Sequence, residues 1–80
     1  LYLTVRQRGV EATTLTGITR ALQEHSSGLD LKRFDEMEDG LEVSYRVRFE
    51  SFEQLERAKT ALVSLAGVHS LSFVDQEGIL

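Results

Sequence analysis

The nine residues Leu41-Glu42-Val43-Ser44-Tyr45-Arg46-Val47-Arg48-Phe49 alternate apolar and polar without a break. That period of two is the pattern of a strand with one buried face and one wet face. What flanks the run narrows the fold further. Asp39-Gly40 precedes it, a dipeptide that favours a tight hairpin. Ser51 follows, with Gln54 three residues on, the pattern of a capping box that opens a helix. The centre of the chain therefore reads hairpin, strand, helix.

The remaining segments fit around that centre. Leu1, Leu3 and Val5 alternate with Tyr2, Thr4 and Arg6 in a first strand that Gly9 ends. Thr13 or Thr14 is placed to cap a helix carrying Leu15, Ile18, Ala21, Leu22 and His25 on one stripe. Ser26-Ser27-Gly28 closes it, with Gly28 expected as the C-cap glycine. Gly17 sits inside that helix, where glycine costs about 1 kcal/mol relative to alanine. Leu29 to Phe34 alternates again, less cleanly, as a second strand, and Asp35 to Gly40 is expected to be an acidic hairpin tip. Phe52, Leu55, Ala58, Leu62 and Leu65 make the apolar stripe of the second helix. Gly67 is the expected left-handed residue after it, Val68 folds back on its last turn, and Leu71 and Phe73 mark a fourth strand. Asp75-Gln76-Glu77-Gly78 reads as a closing turn.

The order is thus βαββαβ. It predicts an α+β two-layer sandwich of ferredoxin-like type, with a four-stranded antiparallel sheet and two helices on one face. In that topology the first and third strands lie side by side in the middle. The whole chain, 1–80, reads as one domain. A body of this size buries roughly 60–65 % of its unfolded surface, so function is expected on a face, an edge or an interface. The chain opens at Leu1 in strand-like sequence, and we expect it to be a piece of a longer protein.

Charge and residue usage bound the chemistry. The net charge is −4 and the pI about 5.0, against the basic footprint of a nucleic-acid binder. No cysteine is available for disulfides, thiolate metal sites or thiol catalysis. No apolar run reaches the roughly 18 residues of a membrane span. No phosphate loop, catalytic triad or cofactor motif stands out, and no cofactor is expected. His25 and His69 lack the companions a metal site needs. The acidic run Asp35, Glu36, Glu38, Asp39 lacks the ligand spacing of a calcium loop. An acylphosphatase-like hydrolase on this topology needs an asparagine, and the chain has none. We therefore expect a non-catalytic domain.

The sheet face away from the helices is the candidate site. If the odd residues of the first and third strands face the helices, Tyr2, Thr4, Arg6, Ser44, Arg46 and Arg48 face out, with Glu42 and Glu50 at the ends. Lys32 and Phe34 are expected to join them from the second strand, and Ser70, Ser72 and Val74 from the fourth. Arg6, Arg46 and Arg48 are candidate anion ligands, since guanidinium pairs bidentately with carboxylate or phosphate. Cross-strand pairing with Glu42, Glu50 or Asp30 is the competing use of the same arginines. Tyr2, Phe34 and Val74 are candidate interface residues. RNA-recognition domains of this topology stack bases on exposed aromatics of the central strands. Here Tyr45 and Phe49 point inward, so no nucleic-acid partner is expected.

Three segments together resemble ACT-like regulatory domains. They are Leu15-Thr16-Gly17-Ile18-Thr19-Arg20-Ala21-Leu22, the strand ending Tyr45-Arg46-Val47-Arg48-Phe49, and Leu65-Ala66-Gly67-Val68-His69-Ser70-Leu71-Ser72-Phe73. Within that group the chain is most similar to the C-terminal cytosolic domains of bacterial MgtC/SapB-type and related membrane proteins. The resemblance implies a regulatory or self-association module, often a homodimer. It also implies tethering to inner-membrane segments outside this sequence and a place on the cytoplasmic side. A small-molecule ligand remains open. Amino-acid-binding ACT domains carry an Asp-x-Pro-Gly-like turn after the first strand, where this chain has Arg8-Gly9-Val10-Glu11-Ala12.

Overall fold

The computed structural model describes residues 1–9, 15–65 and 67–75, and of His69 the backbone alone. Its elements run β1 (Tyr2–Arg8), α1 (Leu15–Glu24), β2 (Gly28–Met37), β3 (Gly40–Arg48), α2 (Phe52–Val63) and β4 (Val68–Val74). The strands form one antiparallel sheet in the order β2-β3-β1-β4, the ferredoxin-like arrangement. The expected Thr13/Thr14 cap and the turn over residues 76–78 lie outside the described residues.

The central pair sets the layers. Leu3 and Val5 of β1 and Val43, Tyr45 and Val47 of β3 are all buried, as their alternation requires. Ile18 and Leu22 of α1 and Ala58 and Leu62 of α2 join them in a single core. Each fully buried Leu, Ile or Val contributes about 1.5–3 kcal/mol from apolar burial. Both helices thus lie on the face of the odd residues, α1 toward β2 and α2 toward β4. Phe49 and Phe73 meet at 6.4 Å with tilted rings and close one end of this core.

Ser51 caps α2 as its sequence requires, its Oγ accepting from the Gln54 N–H at 3.2 Å. Gln54 Oε1 accepts in return from the Glu50 N–H, one residue before the cap, at 2.7 Å, and from Ser27 Oγ at 3.3 Å. The helix entrance is thereby tied to the segment that leads into β2.

Several local expectations are corrected by tertiary pairing. Phe52 opens α2 but is 74 % exposed, because the helix faces the sheet only from its second turn. Gly28 is not a left-handed cap. It is the first residue of β2, paired with Arg48, and positive φ occurs among the described glycines only at Gly9 and Gly67. Gly67, at φ +83°, is left-handed as expected and lies beyond the α2 C-cap Ser64, in the connection to β4. The acidic tip is shorter than expected. Pairing of Asp35 with Glu42, Glu36 with Leu41 and Met37 with Gly40 extends β2, leaving Glu38 and Asp39 as the turn.

Gly40 matters for closeness rather than for turn geometry. A Cβ built there would lie 2.0 Å from the carbonyl oxygen of Gln7, on the neighbouring central strand. Overpacking of that kind costs typically ~1–3 kcal/mol, and here the obstacle is backbone. We expect Gly40→Ala to lower unfolding stability by at least about 2 kcal/mol, read as a lower urea midpoint at unchanged slope. Wild-type stability in that variant would show that β1 and β3 do not approach this closely.

Candidate functional site

The helix-free face of the sheet is read row by row from the strand register. One row carries Val74, Tyr2, Arg46 and Asp30. The next carries Ser72, Thr4, Ser44 and Arg33, and the third carries Ser70, Arg6, Glu42 and Asp35. Thr4 Oγ1 and Ser44 Oγ lie 3.1 Å apart in the middle row. Small hydroxyl residues thus form a shallow trough between two charged rows.

A bulge changes what β2 shows. Leu31 pairs with Tyr45 and Arg33 with Ser44, so Lys32 is the extra residue. Before it the odd residues of β2 face the helices; after it the even ones do. Phe34 stands opposite the buried Val43 and therefore lies on the helix side of the sheet, against the expected outward placement. Lys32 belongs to the bulge itself. The outward set of β2 is Gly28, Asp30, Arg33, Asp35 and Met37. Of the three candidate interface residues, Tyr2 and Val74 share the open face as direct cross-strand neighbours, and Phe34 does not join them.

The three candidate arginines do not form one cluster. Arg46 stands opposite Tyr2, so Arg6 is four residues away, about 13 Å along the strand. Arg6 pairs with its cross-strand neighbour Glu42 at 3.3 Å. Arg8 and Asp39 approach to 4.0 Å at the same end of the sheet. These four residues line a depression of about 190 Å³ in which each guanidinium has a carboxylate nearby. Arg33 and Asp35 pair at 2.7 Å on the outer side of β2.

The opposite end differs. Arg46 and Arg48, with Gly28, Leu29 and Asp30, line an open depression of about 300 Å³. Among the described residues neither arginine has an ion-pair partner within 4.0 Å, although Arg46 stands directly opposite Asp30. The Arg48 head group lies across the bare backbone of Gly28. A Cβ there would sit 3.6 Å from Nη2 and 3.7 Å from Nε. Sequence reasoning named the two arginines but missed Gly28, which it assigned to a helix cap. Only the β2–β3 register brings Gly28 and Asp30 beside them.

On the other face Tyr45 joins α1 to the sheet. Its ring is buried and its Oη lies 2.7 Å from Thr19 Oγ1. Burial pushes the phenol above its ordinary value, and the Thr19 hydroxyl offsets part of the rise. Among the described residues no group of three or more His, Cys, Asp or Glu is placed to hold a metal ion. Nor is any helix there long and apolar enough to cross a membrane. No protein-family model, no curated protein and no solved structure matches the chain.

Tyr45 makes stability depend on pH in one direction. A phenol with a raised folded pKa holds its proton more tightly in the native state. Its contribution is fully present below the unfolded value of about 10 and is lost as pH rises through the folded value. We expect Tyr45→Phe to cost about 1 kcal/mol at neutral pH, from the lost bond to Thr19. The variant should also lose less stability than wild type above pH ~10. Urea titrations across that range check it; parallel alkaline losses in both proteins would contradict it.

Proposed function

We propose that this domain is a non-catalytic regulatory module that self-associates through the helix-free face of its sheet. The observation that supports this reading best is the pairing of Tyr2 with Val74 on that face. Val74 is 39 % exposed, and charges of both signs surround the pair. A twofold axis between two facing sheets, parallel to their planes and perpendicular to the strands, would lay the Arg46 and Arg48 end of one copy over the Glu42 and Asp35 end of the other. Such a contact is isologous, as most homodimer contacts are. The ACT-like resemblance supports the same reading and extends it to tethering on the cytoplasmic side of a bacterial membrane, through segments outside this sequence.

Size sets the expected strength. Four strands about 4.8 Å apart and seven to ten residues long present on the order of 500 Å² of sheet. That is below the ~800 Å² each partner contributes to a standard stable interface. The association should therefore be weak, reversible and concentration-dependent.

Sedimentation velocity across a concentration series is the test. We expect a monomer–dimer equilibrium that Tyr2→Ser weakens and that Val74→Lys abolishes by setting like charges in the contact. Phe52→Ser, on the helix side, should leave it unchanged. A monomer at every concentration would sink the reading. So would a dimer that survives Val74→Lys and dissolves in Phe52→Ser.

A further inference from the structure

The two ends of the open face carry the same residue types in opposite electrostatic states. At one end Arg6 and Arg8 are matched by Glu42 and Asp39. At the other, Arg46 and Arg48 lie two residues apart on the same side of β3, about 7 Å between Cα atoms. Both are exposed and both border the 300 Å³ depression. Among the described residues Asp30 is the one carboxylate bordering the two cations, and it lies beyond 4.0 Å of both, so a shared anion would relieve their repulsion. Gly28 forms a flat floor on which the Arg48 head group rests, 3.6 to 3.7 Å from where a Cβ would stand.

We propose that this depression is a binding site for a phosphate group, held between the guanidinium groups of Arg46 and Arg48. The ligand class follows from charge and shape. With Asp30 at the rim the site carries a net charge of about +1, which attracts a dianion more strongly than a monoanion. A phosphate carries close to two charges and three acceptor oxygens at neutral pH, enough to accept hydrogen bonds from both forks at once. A carboxylate has only two oxygens and must share them between the two forks, whereas a phosphate can give each fork oxygens of its own. The volume is at the lower end of the range for small-molecule sites, about 300 to 1,000 Å³, and suits a phosphate with a small organic substituent. All five lining residues come from one copy, so the site does not depend on self-association. It overlaps the proposed contact face, however, and its occupant would neutralise the charges which that contact uses.

The test is titration of the isotope-labelled protein with inorganic phosphate and, separately, with glycerol phosphate. The readout is the Nε–Hε NMR signals of the arginines. We expect saturable shifts at Arg46 and Arg48 but not at Arg6. Affinity should fall roughly tenfold or more in Arg46→Gln and in Arg48→Gln, the loss of one charge-assisted fork. Asp30→Asn should tighten binding about threefold by removing the opposing charge. This gain cannot arise from misfolding. The stronger of the two ligands identifies free phosphate or a phosphate ester as the natural class. Equal shifts with chloride or acetate at matched ionic strength would overturn the proposal, as would unchanged affinity in both arginine variants. Neither result bears on dimerisation, which sedimentation reads separately.

Discussion

The pairing of β1 with β3 is the constraint from which the rest follows. It sets Leu3 opposite Tyr45 and Val5 opposite Val43, so the buried residues of two strands distant in sequence meet on one face. A slip of one residue would turn that face to water and bring Arg6 and Arg46 into the core, which is why the register is strongly determined. The helices have a single apolar surface to cover, and they cover it from both sides of the central pair. The Tyr45–Thr19 contact and the absence of a side chain at Gly40 are local consequences of how tightly that pair is enclosed.

The bulge at Lys32 is the second organising feature. An edge strand ten residues long is a template for uncontrolled pairing, and a bulge with a charged residue is one way of blunting it. The same bulge changes the parity of β2 halfway along. It keeps Leu29 on the core side and sends Phe34 there too, five residues later, where regular alternation would place only one of them. The outer side then receives Asp30, Arg33 and Asp35. This is why the open face is richer in charge, and poorer in aromatic surface, than uninterrupted alternation implies.

Charge on that face is sorted by position. Toward the β2–β3 turn, acidic and basic residues are matched in pairs whose exposure limits each to about 0–1 kcal/mol. Toward the start of β1, two arginines remain beside a glycine. The contrast does not arise from composition, since the chain is acidic overall. It arises from register and side-chain reach together: Glu42 beside and paired with Arg6, but Gly28 beside Arg48, and Asp30 opposite Arg46 yet not within 4.0 Å of it.

The division between sequence and tertiary structure follows from the range of the interactions involved. Element order, the inward faces of β1 and β3, the α2 cap at Ser51 and the core residues Ile18, Leu22, Ala58 and Leu62 were all legible in the sequence. Each depends on periodicity or on partners within one or two turns. The end of β2, the role of Gly28, the exposure of Phe52 and the side of the sheet taken by Phe34 were not. These depend on contacts between strands, and the break in alternation at Lys32-Arg33 does not by itself say which residue is extra or which way the strand then faces. The candidate site divides in the same way. The sequence by itself determined that arginines would stand on the wet faces of the central strands. Only the packed sheet decided which arginines of the central strands meet a carboxylate, because such pairs form between side chains that the strand register and side-chain geometry bring together.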